Sequence, residues 1–265
     1  MSNEAPVVLR HLSIGYKTKQ GIRVVASDVT ANLQRGRLTC LLGENGVGKS
    51  TLLRTLSAFQ PKLSGDILLE SRPLENYSDH ELARTIGIVL TEKPDVQQMS
   101  VAELVEMGRT PYTGFWGRLT DADRKACSEA ISLIGIGHLK DRMVETLSDG
   151  ERQKVMIAKA LAQQTPIIYL DEPTAFLDYP SKVEMLLLLR SISRQAQKTI
   201  FLSTHDLELA LQVADTVWLM DRREGLQIGT PHELAAQGAL RQFIERGGGV
   251  AFDAETLSVR VLSHA

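Results

Sequence analysis

Cysteine is the first thing this sequence has little of: Cys40 and Cys127 are the only two in 265 residues. Two cysteines neither staple a fold of this size nor show metal-ligand spacing, which excludes a disulfide framework and a cysteine metal centre. Both are read as reduced thiols, with Cys40 in the core. An excess of charge of one sign is missing too. Lysine and arginine number 30 against 32 aspartate and glutamate, a formal charge of -2, so there is no bulk attraction to nucleic acid and no nucleic-acid partner is expected. No apolar run approaches the ~18 residues of a membrane span. The opening Met-Ser-Asn-Glu-Ala-Pro lacks a basic stretch followed by an apolar one, so no signal peptide is expected and the protein reads as soluble and cytoplasmic.

What is present is ordinary in bulk, with 43% hydrophobic and 23% charged residues in 29.2 kDa, enough for one large domain or a core with an inserted subdomain. It is unusual at one place. Gly43, Glu44, Asn45, Gly46, Val47, Gly48, Lys49, Ser50 and Thr51 spell G-x-x-x-x-G-K-S-T between the apolar run Thr39 to Leu42 and a helix with Leu52, Leu53 and Leu56 on one face. Consecutive backbone amides in such a loop curl around phosphate oxygens, and the positive end of the helix favours the anion. Lys49 would place its charge between the β- and γ-phosphates of a nucleotide, and Ser50 would offer its hydroxyl to Mg2+.

Around this loop the pattern changes along the chain. Val7 to Tyr16, Val24 to Leu33, Arg37 to Leu42 and Asp66 to Glu70 read as strands, a mixed β start. From about 94 to 162 the apolar spacing is helical, over Val101 to Gly108, Asp121 to Leu133 and Glu151 to Ala162, and predicts a helical insertion. Strand and helix then alternate: Ile167 to Leu170, Lys182 to Ser193, Thr199 to Ser203, Asp206 to Val213 and Thr216 to Met220, which argues for a parallel α/β sheet. The residues after 235 are expected to form a tail, helical at first and then broken by a flexible Gly247, Gly248, Gly249 run.

Three further places carry chemistry. Asp171 and Glu172 follow the buried run Ile167 to Leu170 at the carboxyl end of a strand, where open α/β sheets bind their ligands. The aspartate can hold Mg2+ and the glutamate can take a proton from, or orient, an attacking water. Ser148 and Glu151 have capping-box spacing before a helix, and that start, with Gly150, is a second anion site, suggesting a nucleotide held between two surfaces. His205 follows the strand Thr199 to Ser203 and is placed to sense a γ-phosphate or orient water.

With these residues in place the sequence closely resembles the ABC transporter ATPases over nearly the whole chain to about residue 235. Gly43 to Thr51 looks like the Walker A loop, Ile167 to Asp171 the Walker B strand, Leu147 to Glu151 the signature usually written LSGGQ, Ala175 to Asp178 the D-loop, and His205 the H-loop. The resemblance implies a P-loop core with a mostly parallel sheet, an N-terminal antiparallel β subdomain and an inserted α-helical subdomain, an ATPase domain over 1–235 and a tail over 236–265. It implies that Tyr16 stacks on adenine, that Glu172 is the catalytic base, and that ATP and Mg2+ are the cofactors. It also implies a head-to-tail homodimer in which Ser148 and Gly150 of one copy contact the γ-phosphate held by Lys49 of the other, with Asp178 reaching across. The partners would be integral-membrane permease subunits and, through them, a substrate-binding protein, at the cytoplasmic face of the cell membrane.

Two departures stand out against that family. Asp149 replaces the first glycine of the signature pair, with Arg152 and Lys154 close by to offset its charge. Thr91, followed by Glu92, occupies the position where the family has the Q-loop glutamine that touches Mg2+, and one of the two is expected to take over that contact. The stretch Gly108 to Arg118 looks like that of importers for iron-siderophore complexes, haem and cobalamin, which makes the motor of a metal-chelate importer the leading reading. An exporter motor, a soluble ABC protein without a membrane partner and a non-hydrolysing regulatory module are the alternatives.

Overall fold

The computed structural model describes residues 5–19, 21–91, 96–114 and 116–262. They form two units, Met1–Leu74 with Leu186–Ala265, and Glu75–Met185.

The first unit begins with β1 (Val7–Thr18) and β2 (Gly21–Leu33), an antiparallel hairpin. The buried side chains of β1 switch from Val7 and Leu9 to Leu12 and Ile14, because the register shifts between Leu9 and Leu12 where His11 has φ of +48°. A bulge of this kind moves the buried set from odd to even positions, which is why the alternation in the sequence is loose. Next come β3 (Leu38–Gly43), α1 (Lys49–Leu56), β4 (Ser64–Leu69) and the two-residue β5 (Arg72–Pro73). One sheet has the order β2-β1-β4-β5 and is antiparallel throughout. Helix α1 buries Leu52, Leu53 and Leu56, the face expected from their spacing.

The second unit holds α2 (Asp79–Thr85), β6 (Ile86–Val89), α3 (Val101–Glu106), α4 (Asp121–Ile134), α5 (Asp149–Ala162) and β7 (Ile167–Asp171). Strands β6 and β7 pair in parallel from Ile86↔Ile167 to Val89↔Leu170. Val101, Leu104 and Val105 of α3, Ala126, Cys127 and Ala130 of α4, and Val155, Ile157 and Ala158 of α5 are its helical core. A buried ion pair lies among these helices: Arg109 Nε is 2.9 Å from Asp123 Oδ1, and Arg109 Nη1 donates to the Ala162 carbonyl at 2.7 Å. The guanidinium also lies 3.9 Å from the centre of the Tyr112 ring. Of the stretch Gly108 to Arg118, therefore, Arg109 and Tyr112 pack inward, whereas Trp116 is exposed and Phe115 lies outside the described residues.

The boundary to the first unit falls inside α6 (Tyr179–Gln195). The chain goes on with β8 (Thr199–Ser203), α7 (Leu207–Val213), β9 (Thr216–Asp221) and β10 (Gly225–Gly229). Strand β3 pairs in parallel with both β8 and β9, and β10 closes against β9 in antiparallel. Leu38 to Leu42 and all of β8 are buried, as strands covered on both faces must be. Together with the parallel pair β6–β7 and the antiparallel β1–β2–β4 sheet, this is the expected P-loop α/β fold with helices in the second unit. The tail differs from expectation. After α8 (Pro231–Ala236) and α9 (Ala239–Ile244), Gly248 and Gly249 turn the chain at φ of +70° and +74° into a hairpin of β11 (Val250–Asp253) and β12 (Ser258–Val261). The three glycines lead into ordered structure rather than ending it. Both cysteines are free and buried, and burial pushes the Cys40 thiol up to about 12, so neither is a ready nucleophile.

Candidate functional site

In the first unit the glycine loop connects β3 to α1. Gly48 is the N-cap of α1 with φ of +121°, and a Cβ there would run into the Val25 side chain of β2, so only glycine fits. No side chain caps this helix and no acidic residue lies in its first turn. Its opening amides are thus left to an outside acceptor, the condition for an anion site.

Lys49 is buried at 5% exposure, unusual for a lysine, and its ammonium is held by carbonyls. Nζ donates to Gly43 O at 2.8 Å and Glu44 O at 3.2 Å, and lies 3.4 Å from Nδ1 of His205. Parallel pairing makes this meeting possible: the register Leu41↔Ser203 sends the ends of β3 and β8 out at the same edge, the loop from one and His205 from the other. Ser50 and Asn45 are exposed. Tyr16 on β1 pairs with Arg23 on β2, whose guanidinium lies 5.7 Å from the centre of its partly exposed ring. The strand pair that carries Tyr16 also supplies Val25 against Gly48.

The second unit has two groups. At the end of β7, Asp171 is buried at 5% exposure, and Glu172 has φ of +51°, a strained conformation of the kind that concentrates at functional positions. The hydroxyl of Thr91, just past β6, donates to the Asp171 carbonyl at 3.2 Å. Glu92 lies outside the described residues. Away from that strand end, Ser148, Gly150, Glu151, Lys154, Asp178 and Ser181 line a cavity of about 380 Å3. Ser148 caps α5: its hydroxyl accepts from the Glu151 amide at 3.3 Å and donates to Glu151 Oε2 at 2.8 Å. The Ser148 amide and hydroxyl, with Arg142 beyond, hold the Glu151 carboxyl below the usual range. Asp178 accepts from the Ser181 amide at 3.0 Å, and the Ser181 hydroxyl and amide lower its carboxyl as well. A Cβ on Gly150 would come within 3.2 Å of Leu177, so this glycine is also tightly fitted.

Each unit therefore gathers its own share of the sequence-expected residues. The loop, Lys49, His205 and the Tyr16 hairpin fall in one, and Asp171, Glu172 and Thr91, with Ser148, Gly150 and Asp178 apart from them, in the other. Two arginines escaped sequence reasoning. Arg222 Nη2 lies 3.3 Å from the carbonyls of both Asn45 and Gly46, and Arg246 Nη1 lies 3.6 Å from Glu44. Only the charged turn Asp221 to Gly225 directly after a buried strand hinted at the first of them.

A glycine loop between a buried parallel strand and an uncapped helix, with its lysine already turned inward, defines a P-loop nucleotide-binding protein. Comparison with known proteins places it more closely. The profile of the ABC transporter family matches residues 26–175. The ferric enterobactin transport ATP-binding protein FepC of Escherichia coli is 36% identical over 233 residues, covering 88% of this chain and 81% of that protein. The iron(3+)-hydroxamate import ATP-binding protein FhuC of Bacillus subtilis is 33% identical over 246 residues, covering 92% and 90%. Among solved structures, cbiO1 of Clostridium perfringens, part of an ABC transporter complex, superposes with a TM-score of 0.76 at 29% identity over 92% of this chain and 95% of that one. The chain belongs to the ABC transporter family. It is an ATPase of that family and binds nucleotide.

Proposed function

We propose that the chain is the ATP-hydrolysing motor of an importer for ferric siderophore, haem or a related metal chelate. The observation that carries the motor reading is the buried Lys49, held 2.8 Å from Gly43 O and 3.4 Å from His205 Nδ1 at the mouth of an uncapped helix. A lysine so placed puts its charge at the loop where phosphate would sit. The metal-chelate cargo is supported by the two relatives whose names specify ferric enterobactin and iron(3+)-hydroxamate.

The residues fit nucleotide and Mg2+. The uncapped start of α1 and the Lys49 ammonium offer donors and positive charge to phosphate, and Ser50 and Asp171 offer hard oxygens of the kind Mg2+ takes. When bound, Mg2+ supplies positive charge against the phosphates. Lys49 and the loop amides hold the phosphates, Tyr16 takes the base, and His205 meets the γ-phosphate. Glu172 accepts a proton from the water that attacks the γ-phosphorus, as the bond to the ADP oxygen breaks. Thr91 already gives its hydroxyl proton to the Asp171 carbonyl, which leaves its lone pairs for a cation or its water, and it stands in for the family's glutamine. Glu92 is the other candidate for that contact.

In the same reading, 1–235 is the ATPase domain with the helical insertion at about 94–162, and 236–265 its tail. Two copies pair head to tail, so that Ser148 and Gly150 of one face the γ-phosphate on Lys49 of the other, flanked by Glu151 and by Asp178. No helix among the described residues is long and apolar enough to cross a membrane. The motor would act from the cytoplasmic face, docked on permease subunits that a substrate-binding protein loads. The test is co-purification with those subunits in vesicles and measurement of ATP-dependent uptake of ferric siderophore, haem or cobalamin. Uptake of one of them supports the reading; ATP-driven efflux, or ATPase activity indifferent to all of them, overturns it.

A further inference from the structure

The outside of the glycine loop is held as closely as the inside. In a loop whose amides turn toward an anion, the carbonyls of the same peptides turn away, and Asn45 and Gly46 present theirs to Arg222, 3.3 Å from each. Arg222 sits in the turn between β9 and β10, and that turn is itself fixed. Asp221, buried at the end of β9, accepts from the amides of Arg223 at 2.7 Å and Glu224 at 3.2 Å. Burial alone would push the Asp221 carboxyl up. The Arg246 guanidinium at 2.7 Å and the two amides outweigh it and keep the group below the usual carboxylate range.

Arg246 comes from the tail, just past α9, and joins two parts of this arrangement. It pairs with Asp221 under the turn and lies 3.6 Å from Glu44 in the loop. Gln242 of α9 adds a bond to Glu224 at 3.2 Å. A continuous path thus runs from the tail through Asp221 and its turn to Arg222 and the peptides of Asn45 and Gly46, with Arg246 also reaching the Glu44 carboxylate, all within one unit. It carries positive charge to the outer face of a loop that must hold phosphates, and it fixes the direction of the loop's peptides.

We infer that Arg222 and Arg246 are positioning residues for the glycine loop, and that the segment Ala239–Asp253 braces the loop through them and sets its affinity for nucleotide phosphates. This rests on the reading of Gly43 to Thr51 as the nucleotide loop. Arg222 acts through the loop peptides, and Arg246 through the Glu44 side chain and the Asp221 turn.

The experiment is a titration of the full chain with MgATP and MgADP, wild type against Arg222→Ala, Arg246→Gln and the double variant, with melting temperatures measured without nucleotide. Arg222 is exposed in a turn, so its loss does not threaten folding. Removing it should weaken MgATP binding about fivefold with kcat within about twofold of wild type, and Arg222→Lys should recover part of the loss. Arg246→Gln should weaken binding about threefold, and the double variant should do little more than Arg222→Ala alone, because both act along one path. Unchanged affinity in Arg222→Ala, or losses that multiply in the double variant, overturns the inference while the nucleotide reading stands. A wild-type chain that fails to bind MgATP overturns both.

Discussion

The two helix starts proposed to meet phosphate, that of α1 in the first unit and that of α5 in the second, are built in opposite ways. Helix α1 opens with a glycine at positive φ, no side-chain cap, no acidic residue in its first turn, and a buried lysine. Helix α5 opens with a complete capping box, and both Asp149 and Glu151 lie in its first turn. The first start offers its amides to an anion and adds the charge of Lys49. The second satisfies its amides internally and places carboxylates where the helix dipole favours negative charge. The α1 start is therefore ready to bind by itself. The α5 start has a hydroxyl already engaged by Glu151, so Ser148 must exchange that partner before it can serve a phosphate. The difference suggests a division: affinity resides in the first unit and turnover depends on the second.

The strongest way to break that division is Glu172→Gln. It should lower turnover about a thousandfold while MgATP affinity persists, and a closed dimer should accumulate with MgATP on size-exclusion chromatography. Normal phosphate release from this variant would take the base away from Glu172.

Asp123→Ala tests whether the second unit depends on side-chain charge for its own integrity. The loss leaves buried Arg109 without its carboxylate and should cost about 3 kcal/mol in denaturant unfolding. The pH dependence follows. The Thr120 hydroxyl and amide, with Arg109 after them, pull the Asp123 carboxyl from an ordinary 3.8 to about 2. A group depressed in the folded state stabilises fully above its unfolded value and loses that contribution as pH falls through the folded one. Wild type should therefore lose stability between about pH 4 and pH 2, and the variant should lose less over the same window.

The smallest expected effect sharpens the comparison rather than testing its limits. Ser148→Ala removes the α5 cap and should cost about 1 kcal/mol of stability. It should lower the turnover of the assembled transporter about tenfold yet leave MgATP affinity of the isolated chain within about twofold. A large loss of affinity in the isolated chain would mean that the two starts do not divide the work.

How far the sequence could be read depended on whether a signal was local. Strands β3, β7 and β8 announce themselves as unbroken apolar runs, and Ser148 with Glu151 marks the start of α5 by spacing alone. The short α2 has the same mark in Ser78 and Glu81, whose capping box forms, but its seven residues bury none of their side chains, so no apolar stripe drew attention to it. Strand β10 and the hairpin of β11 and β12 were illegible for another reason. They are four or five residues long, and contacts from far along the chain support the hairpin, such as Gln212 to the Thr256 carbonyl and the Val259 amide to Glu208. Glycines before such a hairpin look like a loose end until the partner strand is known. The loop chemistry was readable because its residue types are dictated by the anion. The arginines behind it were not, since a backbone carbonyl accepts from any donor that the fold brings near.

The contact between Lys49 and His205 has one further consequence. An ammonium carries donors and no lone pair, so Nδ1 of His205 can meet it only as an acceptor. The contact thereby favours the tautomer that leaves Nε2 as the donor. A substitution at position 49 would remove more than a charge: it would also take away the donor that faces His205 Nδ1.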